Sequence, residues 1–135
     1  MGIIDSIKKF IAPKAKQRTP FVPKTVDEFI DFNIKQIGER ECRNFLKQFG
    51  NNCDVVDFHF TLGRQIRNEF SLWTDESADL KQDLWNRIGP ARRKVYDDHW
   101  NKFGQTFQGR NMHADDASHE LMAELVNEIS NRYGK

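Results

Sequence analysis

The sequence predicts an all-α protein: a compact bundle of about five to six helices, with a short N-terminal amphipathic helix on a linker. Apolar residues recur three and four positions apart along most of the 135 residues, which is helical periodicity. Threonine, asparagine and aspartate precede these segments and glycine follows them, as expected at helix ends. No alternating, β-branched run bounded by turn residues occurs, so no strand is predicted.

The two parts of the chain differ in charge. Residues 1–24 carry six basic residues and one acidic residue, a net charge of +5, whereas residues 25–135 carry 15 basic and 19 acidic residues, a net charge of −4. We therefore divide the chain into a basic amphipathic segment with a proline-containing linker, 1–24, and a helical domain, 25–135. The overall charge of +1 gives no global signature for nucleic acid.

The N-terminal segment is a candidate binding element. Ile3, Ile7 and Phe10 share one helical face, Lys8 adds positive charge beside them, and Pro13 ends the pattern. A helix of about ten residues is marginal alone in water. Three surfaces remain open for it: the body of the protein, a membrane surface, or the groove of a partner protein.

Capping signals begin the helical domain. Thr25 and Glu28 form a capping box before a helix that ends near Gly38. The second helix is predicted over Glu39–Phe49. A long third helix is predicted from Asn51 or Asn52 to about residue 73, with an apolar stripe of Val55, Phe58, Leu62, Ile66, Phe70 and Trp73.

The C-terminal half follows the same rules. Residues 74–77 form a turn and a new cap, and Pro90 suits the first position of the fifth helix, which carries Val95, Tyr96 and Phe103. A loop is predicted over residues 105–111. Asp115 is expected to cap the last helix, and Gly134 to end it.

Composition points to a cytoplasmic protein without a cofactor. Cys42 and Cys53 lie among helix-forming residues, so small buried side chains or free thiols are expected rather than a disulfide. No signal-peptide pattern is visible at the start. His113, Asp116 and His119 could converge on a metal, but exposed capping residues explain them better, and no metal is predicted.

A polar cluster stands out in the third helix. His59, Gly63 and Arg67 recur every four residues, so they lie one above another. A glycine inside a helix indicates close contact with a neighbouring group. Because a buried arginine needs a partner, we predict that Asp116 pairs with Arg67 while Asp115 caps the last helix.

A functional alternative for this cluster stays open. His59, Arg67, Asn68 and His113 would line a polar pocket in which the arginine holds an anion and a histidine moves a proton. The residues of a small enzyme or anion-binding domain would then be His59, Arg67 and Asp116.

The same residues carry a resemblance. The motifs Phe58-His59-Phe60, Leu62-Gly63, Ile66-Arg67-Asn68, Leu72-Trp73 and Asp115-Asp116-Ala117-Ser118 resemble an uncharacterised family of small, mostly bacterial and phage-encoded helical domains. The chain departs from that pattern at Ala114, where proline is usual, and at Glu69-Phe70. The family has no established activity to transfer. The resemblance implies one shared cluster of His59, Gly63, Arg67, Asn68, Trp73, Asp115, Asp116 and Ser118.

The sequence favours a non-enzymatic domain that binds another protein. Tryptophans beyond the need of the core often mark interfaces, so the candidate contacts are the N-terminal segment and a surface around Trp85 and Trp100. Arg92-Arg93-Lys94 beside aromatic residues could contact nucleic acid. Asp97 and Asp98 follow directly, however, so nucleic acid is disfavoured.

Overall fold

The computed structural model describes residues 22–49 and 63–134, which are all-α, as predicted. The N-terminal helix predicted near residues 3–11, with Ile3, Ile7, Lys8 and Phe10, lies outside these ranges, as do Cys53 and His59. The described α-helices are α1 (Val26–Ile37), α2 (Glu39–Phe49), α3 (Arg64–Glu69), α4 (Ala78–Arg87), α5 (Pro90–Asn101) and α6 (Ala114–Tyr133). Short 3₁₀ helices occupy Asp75–Ser77 and Gly109–Asn111.

The last helix is the centre of the bundle. α6 packs against α1, α2, α3 and α4. Its inward face consists of Ala117, Leu121, Leu125 and Ile129, all buried at the spacing of one helix turn. This placement puts the first turn of α6 beside α3, where the predicted polar cluster lies.

The first helix begins and ends at the predicted residues. Oγ1 of Thr25 accepts a hydrogen bond from the amide of Glu28 at 3.1 Å, and Gly38 ends the helix with φ of +88°. The Glu28 carboxylate accepts from the amide of Lys24 at 2.9 Å, one residue earlier than in a standard capping box. Asp83 of α4 accepts from the amide of Val26 at 2.8 Å and so joins α4 to the start of α1.

The third helix ends earlier than the sequence predicts. α3 stops at Glu69, and Ser71 takes the left-handed conformation with φ of +56°. This reversal lets Phe70 and Leu72 both enter the core, while Trp73 is 57% exposed. The prediction that Trp73 extends the apolar stripe of a long helix is therefore wrong. Thr74 fixes the turn, because its amide and its hydroxyl both donate to the carbonyl of Ser71.

The expectation of a small buried side chain or free thiol can be compared with the structure at Cys42. Cys42 is fully buried as a free thiol, and burial raises the pKa of that thiol to about 11. Among the helices of residues 22–49 and 63–134, none is both long and apolar enough to cross a membrane.

Candidate functional site

Arg67 lies inside the fold, with 8% of its side chain exposed. Its Nε lies 3.2 Å from Oδ1 of Asp115, and its Nη1 donates to Oγ of Ser118 at 3.0 Å. The Ser118 hydroxyl donates in turn to the backbone carbonyl of Asp115 at 2.9 Å. Both partners belong to the start of α6, so the guanidinium ties α3 to that helix.

The roles predicted for the two aspartates are both wrong: Asp116 does not pair with Arg67, and Asp115 does not cap the last helix. Asp115, not Asp116, pairs with Arg67. The cap of α6 is His113, whose Nδ1 accepts from the amide of Asp115 at 3.1 Å. The capping residue lies two positions further upstream than predicted, so the helix starts at Ala114 and Asp115 lies within its first turn. Asp115 and Ser118 are three residues apart, so they share the side of α6 that faces Arg67.

The other described residues of the predicted cluster do not contact Arg67 as a group, and they differ in burial. Gly63 is buried directly before α3, whereas Asn68 is exposed. Trp73 and His113 meet edge-on, with ring centroids 5.6 Å apart, and both side chains are more than half exposed. Arg67 thus connects α3 to α6 inside the fold, and His113 lies beside its partner Asp115, with Nδ1 3.7 Å from Oδ2.

The contacts with Asp115 and Ser118 limit the ability of Arg67 to bind an anion. An anion that bound at Nε, or at the N–H of Nη1 that meets Ser118, would have to displace Asp115 or Ser118. Such a displacement would leave a carboxylate or a hydroxyl without its partner. The geometry therefore fits an internal connection better than an open anion site.

A second polar cluster was not predicted from the sequence. Glu120 is 6% exposed, and its Oε1 accepts from Nε and Nη2 of Arg92 and, at 3.1 Å, from the hydroxyl of Tyr96. This carboxylate holds α5 against α6. Burial and the neighbouring Glu120 carboxylate raise the pKa of Tyr96, and the hydrogen bond to Glu120 raises the pKa of Arg92. The sequence signals neither contact, because 24 and 28 residues separate the partners.

Phe107 lies at the centre of a group of aromatic side chains from α4 and α5. Its centroid lies 4.7 Å from that of Trp85, 5.5 Å from that of Tyr96 and 6.0 Å from that of Trp100. Gly109 lies so close to Trp85 that a Cβ there would collide with the indole side chain. Trp85 is therefore largely a packing residue, although its edge lines a groove with Pro90, Arg93, Lys94, Asp97 and Asp98.

The outer face of α5 carries apolar residues in solvent. Tyr96 is the buried residue of this helix, whereas Val95 is 58% exposed and Phe103, just beyond the helix, is 66% exposed. His99 lies between them, with its ring centroid 5.5 Å from that of Phe103. Ala91, one turn before Val95, is also exposed. We call Ala91, Val95, His99 and Phe103 the outer stripe.

A small cavity opens beside this stripe. It measures about 130 Å³ and lies between α5 and the segment that leads to the second 3₁₀ helix. Its lining residues are Trp100, Gln105, Thr106, Phe107, Gln108 and Asn111. Among residues 22–49 and 63–134, no charged side chain belongs to this lining.

Comparisons of the chain with protein-family models, with curated proteins and with solved structures find no match. The resemblance to an uncharacterised helical family therefore stays a prediction. Within the described part of the chain, no three histidine, cysteine, aspartate or glutamate residues are grouped as metal ligands.

Proposed function

We propose that this protein is a non-enzymatic domain that binds another protein through the outer stripe of α5. The observation that carries this proposal is the exposure of Val95 and Phe103 on a helix that buries only Tyr96 among its described residues. Exposed apolar residues that follow one helix face are typical of a surface that a partner covers. Trp100 lies next to the outer stripe, because its ring centroid is 6.0 Å from that of His99. Tryptophan is one of the residues that most often contribute binding energy at protein interfaces.

The polar cluster supports this choice over an enzyme. Arg67 is engaged by Asp115 and Ser118, so the residue on which an anion-binding or catalytic pocket would depend already has internal partners. We also propose a cytoplasmic location, which the buried free thiol of Cys42 supports, because thiols stay unpaired in reducing compartments.

The test compares capture of partners by variants of the full chain. Val95→Asp with Phe103→Asp places two charges on the outer stripe, and Trp73→Asp is the matched control, because it replaces the third exposed large hydrophobic residue away from α5. We expect the double variant to lose a captured protein that the wild type and the control retain. Its melting temperature should stay within about 4 °C of the wild type, since both positions are exposed.

Two results would reject parts of this proposal. Equal capture by the double variant and the wild type would reject the outer stripe as the contact. The second experiment deletes residues 1–24. If this deletion abolishes capture while the Val95/Phe103 double variant still captures the partner, the contact belongs to the N-terminal segment instead.

A further inference from the structure

We propose that the neutral cavity beside the outer stripe receives a tyrosine side chain of the partner protein as its anchor. The inference rests on the proposed function and adds the chemistry of the residue that docks. The outer stripe supplies apolar contact, and the cavity supplies a defined site at its edge. Interfaces often concentrate their binding energy in one aromatic residue that fills such a site.

The volume of the cavity and its two aromatic lining residues favour a planar aromatic side chain as the group that docks. The cavity volume, about 130 Å³, is enough for one aromatic ring, since an enclosed apolar cavity of roughly 150 Å³ holds benzene. This cavity is open to solvent, and its four polar lining residues are exposed, so a ring can enter it from outside. Trp100 and Phe107 contribute two ring surfaces tilted by 32° to each other. Ring–ring contact against such a wall is favourable in offset or edge-on geometry.

Polarity favours a phenol over a phenyl group or an ion. The part of the chain that the structure describes gives the cavity no charged lining residue, so a lysine, arginine or carboxylate buried there by the partner would lose its hydration without a counter-charge. Four lining side chains are polar, and among the described residues no hydrogen bond engages them: Gln105, Thr106, Gln108 and Asn111. Their amides and hydroxyl can accept from and donate to the hydroxyl of a tyrosine.

Hydrogen bonds within the fold hold the backbone of the cavity wall. The amide of Gln105 donates to the carbonyl of Trp100 at 3.2 Å, and the amide of Asn111 donates to the carbonyl of Gln108 at 2.9 Å. Phe107 is held by Trp85 and Tyr96 from the other side. A site that needs little ordering loses less free energy on association.

The experiment titrates the ¹⁵N-labelled full chain with p-cresol, the side-chain analogue of tyrosine. We expect saturable shifts of the Trp100 indole N–H and of the Gln108 and Asn111 side-chain amides, with a midpoint below about 10 mM. Toluene, which lacks the hydroxyl, should bind about threefold more weakly. Trp100→Ala should weaken p-cresol at least about tenfold, while Trp73→Ala, an exposed indole outside the lining, leaves the midpoint unchanged.

A second variant keeps the test informative if Trp100→Ala disturbs the fold. Gln108→Leu with Asn111→Leu keeps the shape of the cavity and removes two amides, so p-cresol should lose its advantage over toluene. Absence of shifts up to about 20 mM p-cresol would overturn the inference. So would tighter binding of methyl β-glucopyranoside at the same signals, which would identify a sugar site. Either result, with capture still lost in the Val95/Phe103 variant, would leave the proposed function standing.

Discussion

Asp115 of α6 lies 3.2 Å from the guanidinium Nε of Arg67 in α3, and Ser118 completes the contact from the next turn. The arginine is buried and the aspartate side chain is 45% exposed, so the two partners differ in what their removal costs. Without Asp115 a positive charge stays buried without compensation, whereas a freed Asp115 can turn to water.

Replacement of Asp115 should therefore cost far more than replacement of its neighbour. Asp115→Asn should lower the free energy of unfolding by about 2–3 kcal/mol. This loss is smaller than that expected for a fully buried ion pair, because the Asp115 carboxylate is partly exposed to solvent. Asp116→Asn, which does not touch Arg67, should change it by less than about 0.5 kcal/mol. Urea denaturation of both variants measures the difference, and a larger loss at Asp116 would reject the observed pairing.

Gly109 should resist even the smallest side chain. An added Cβ would lie 2.6 Å from Cγ of Trp85, in a place fixed by Phe107 and Tyr96. Gly109→Ala should cost about 2 kcal/mol by overpacking, as thermal or urea unfolding would report. Gly89→Ala is the control for added volume, because nothing lies within 4 Å of its Cβ position. Gly89 is the N-cap of α5, where alanine is less favourable than glycine, so we expect a loss below about 1 kcal/mol. Equal stabilities of the two variants would contradict the close approach.

Tyr96 should make the fold sensitive to alkaline pH. Burial and the Glu120 carboxylate raise its pKa, so the unfolded tyrosine, which ionises near pH 10, loses its proton before the folded one. Stability is then fully present below about pH 10 and falls as the pH rises. Between pH 10 and 11.5 the wild type should lose about 1 kcal/mol per pH unit more than Tyr96→Phe. Parallel pH profiles of the two proteins would show that Tyr96 ionises normally in the fold.

The features that the sequence predicts well are local. Thr25, Gly38 and Pro90 act within one turn of their own helix, and the structure places each at the predicted helix end. Local sequence patterns do not predict the early end of α3, because the residue in the left-handed conformation is Ser71 and not the glycine that usually marks a helix end. Burial of Phe70 and Leu72 on both sides of it, a tertiary effect, decides that turn.

The candidate site was predictable only in part. That a carboxylate near residue 115 meets Arg67 follows from the need to neutralise a buried arginine. Which of two adjacent aspartates does so depends on the helix phase, because neighbouring residues in a helix point about 100° apart and the buried face of α6 fixes their direction. The Arg92–Glu120–Tyr96 cluster arises from helices that meet only in the folded chain, so no spacing in the sequence indicates it. The cavity at Trp100 is lined by residues within 100–111, but its shape depends on how that loop folds back on α5, which local patterns do not indicate.

The most direct test of the account is the free energy of unfolding of Arg67→Ala. If Arg67 is an internal connection between α3 and α6, its loss should remove about 3 kcal/mol of stability, through the broken contacts and the space left behind. A variant as stable as the wild type, within about 0.5 kcal/mol, would contradict this role and would make Arg67 a candidate ligand-binding residue.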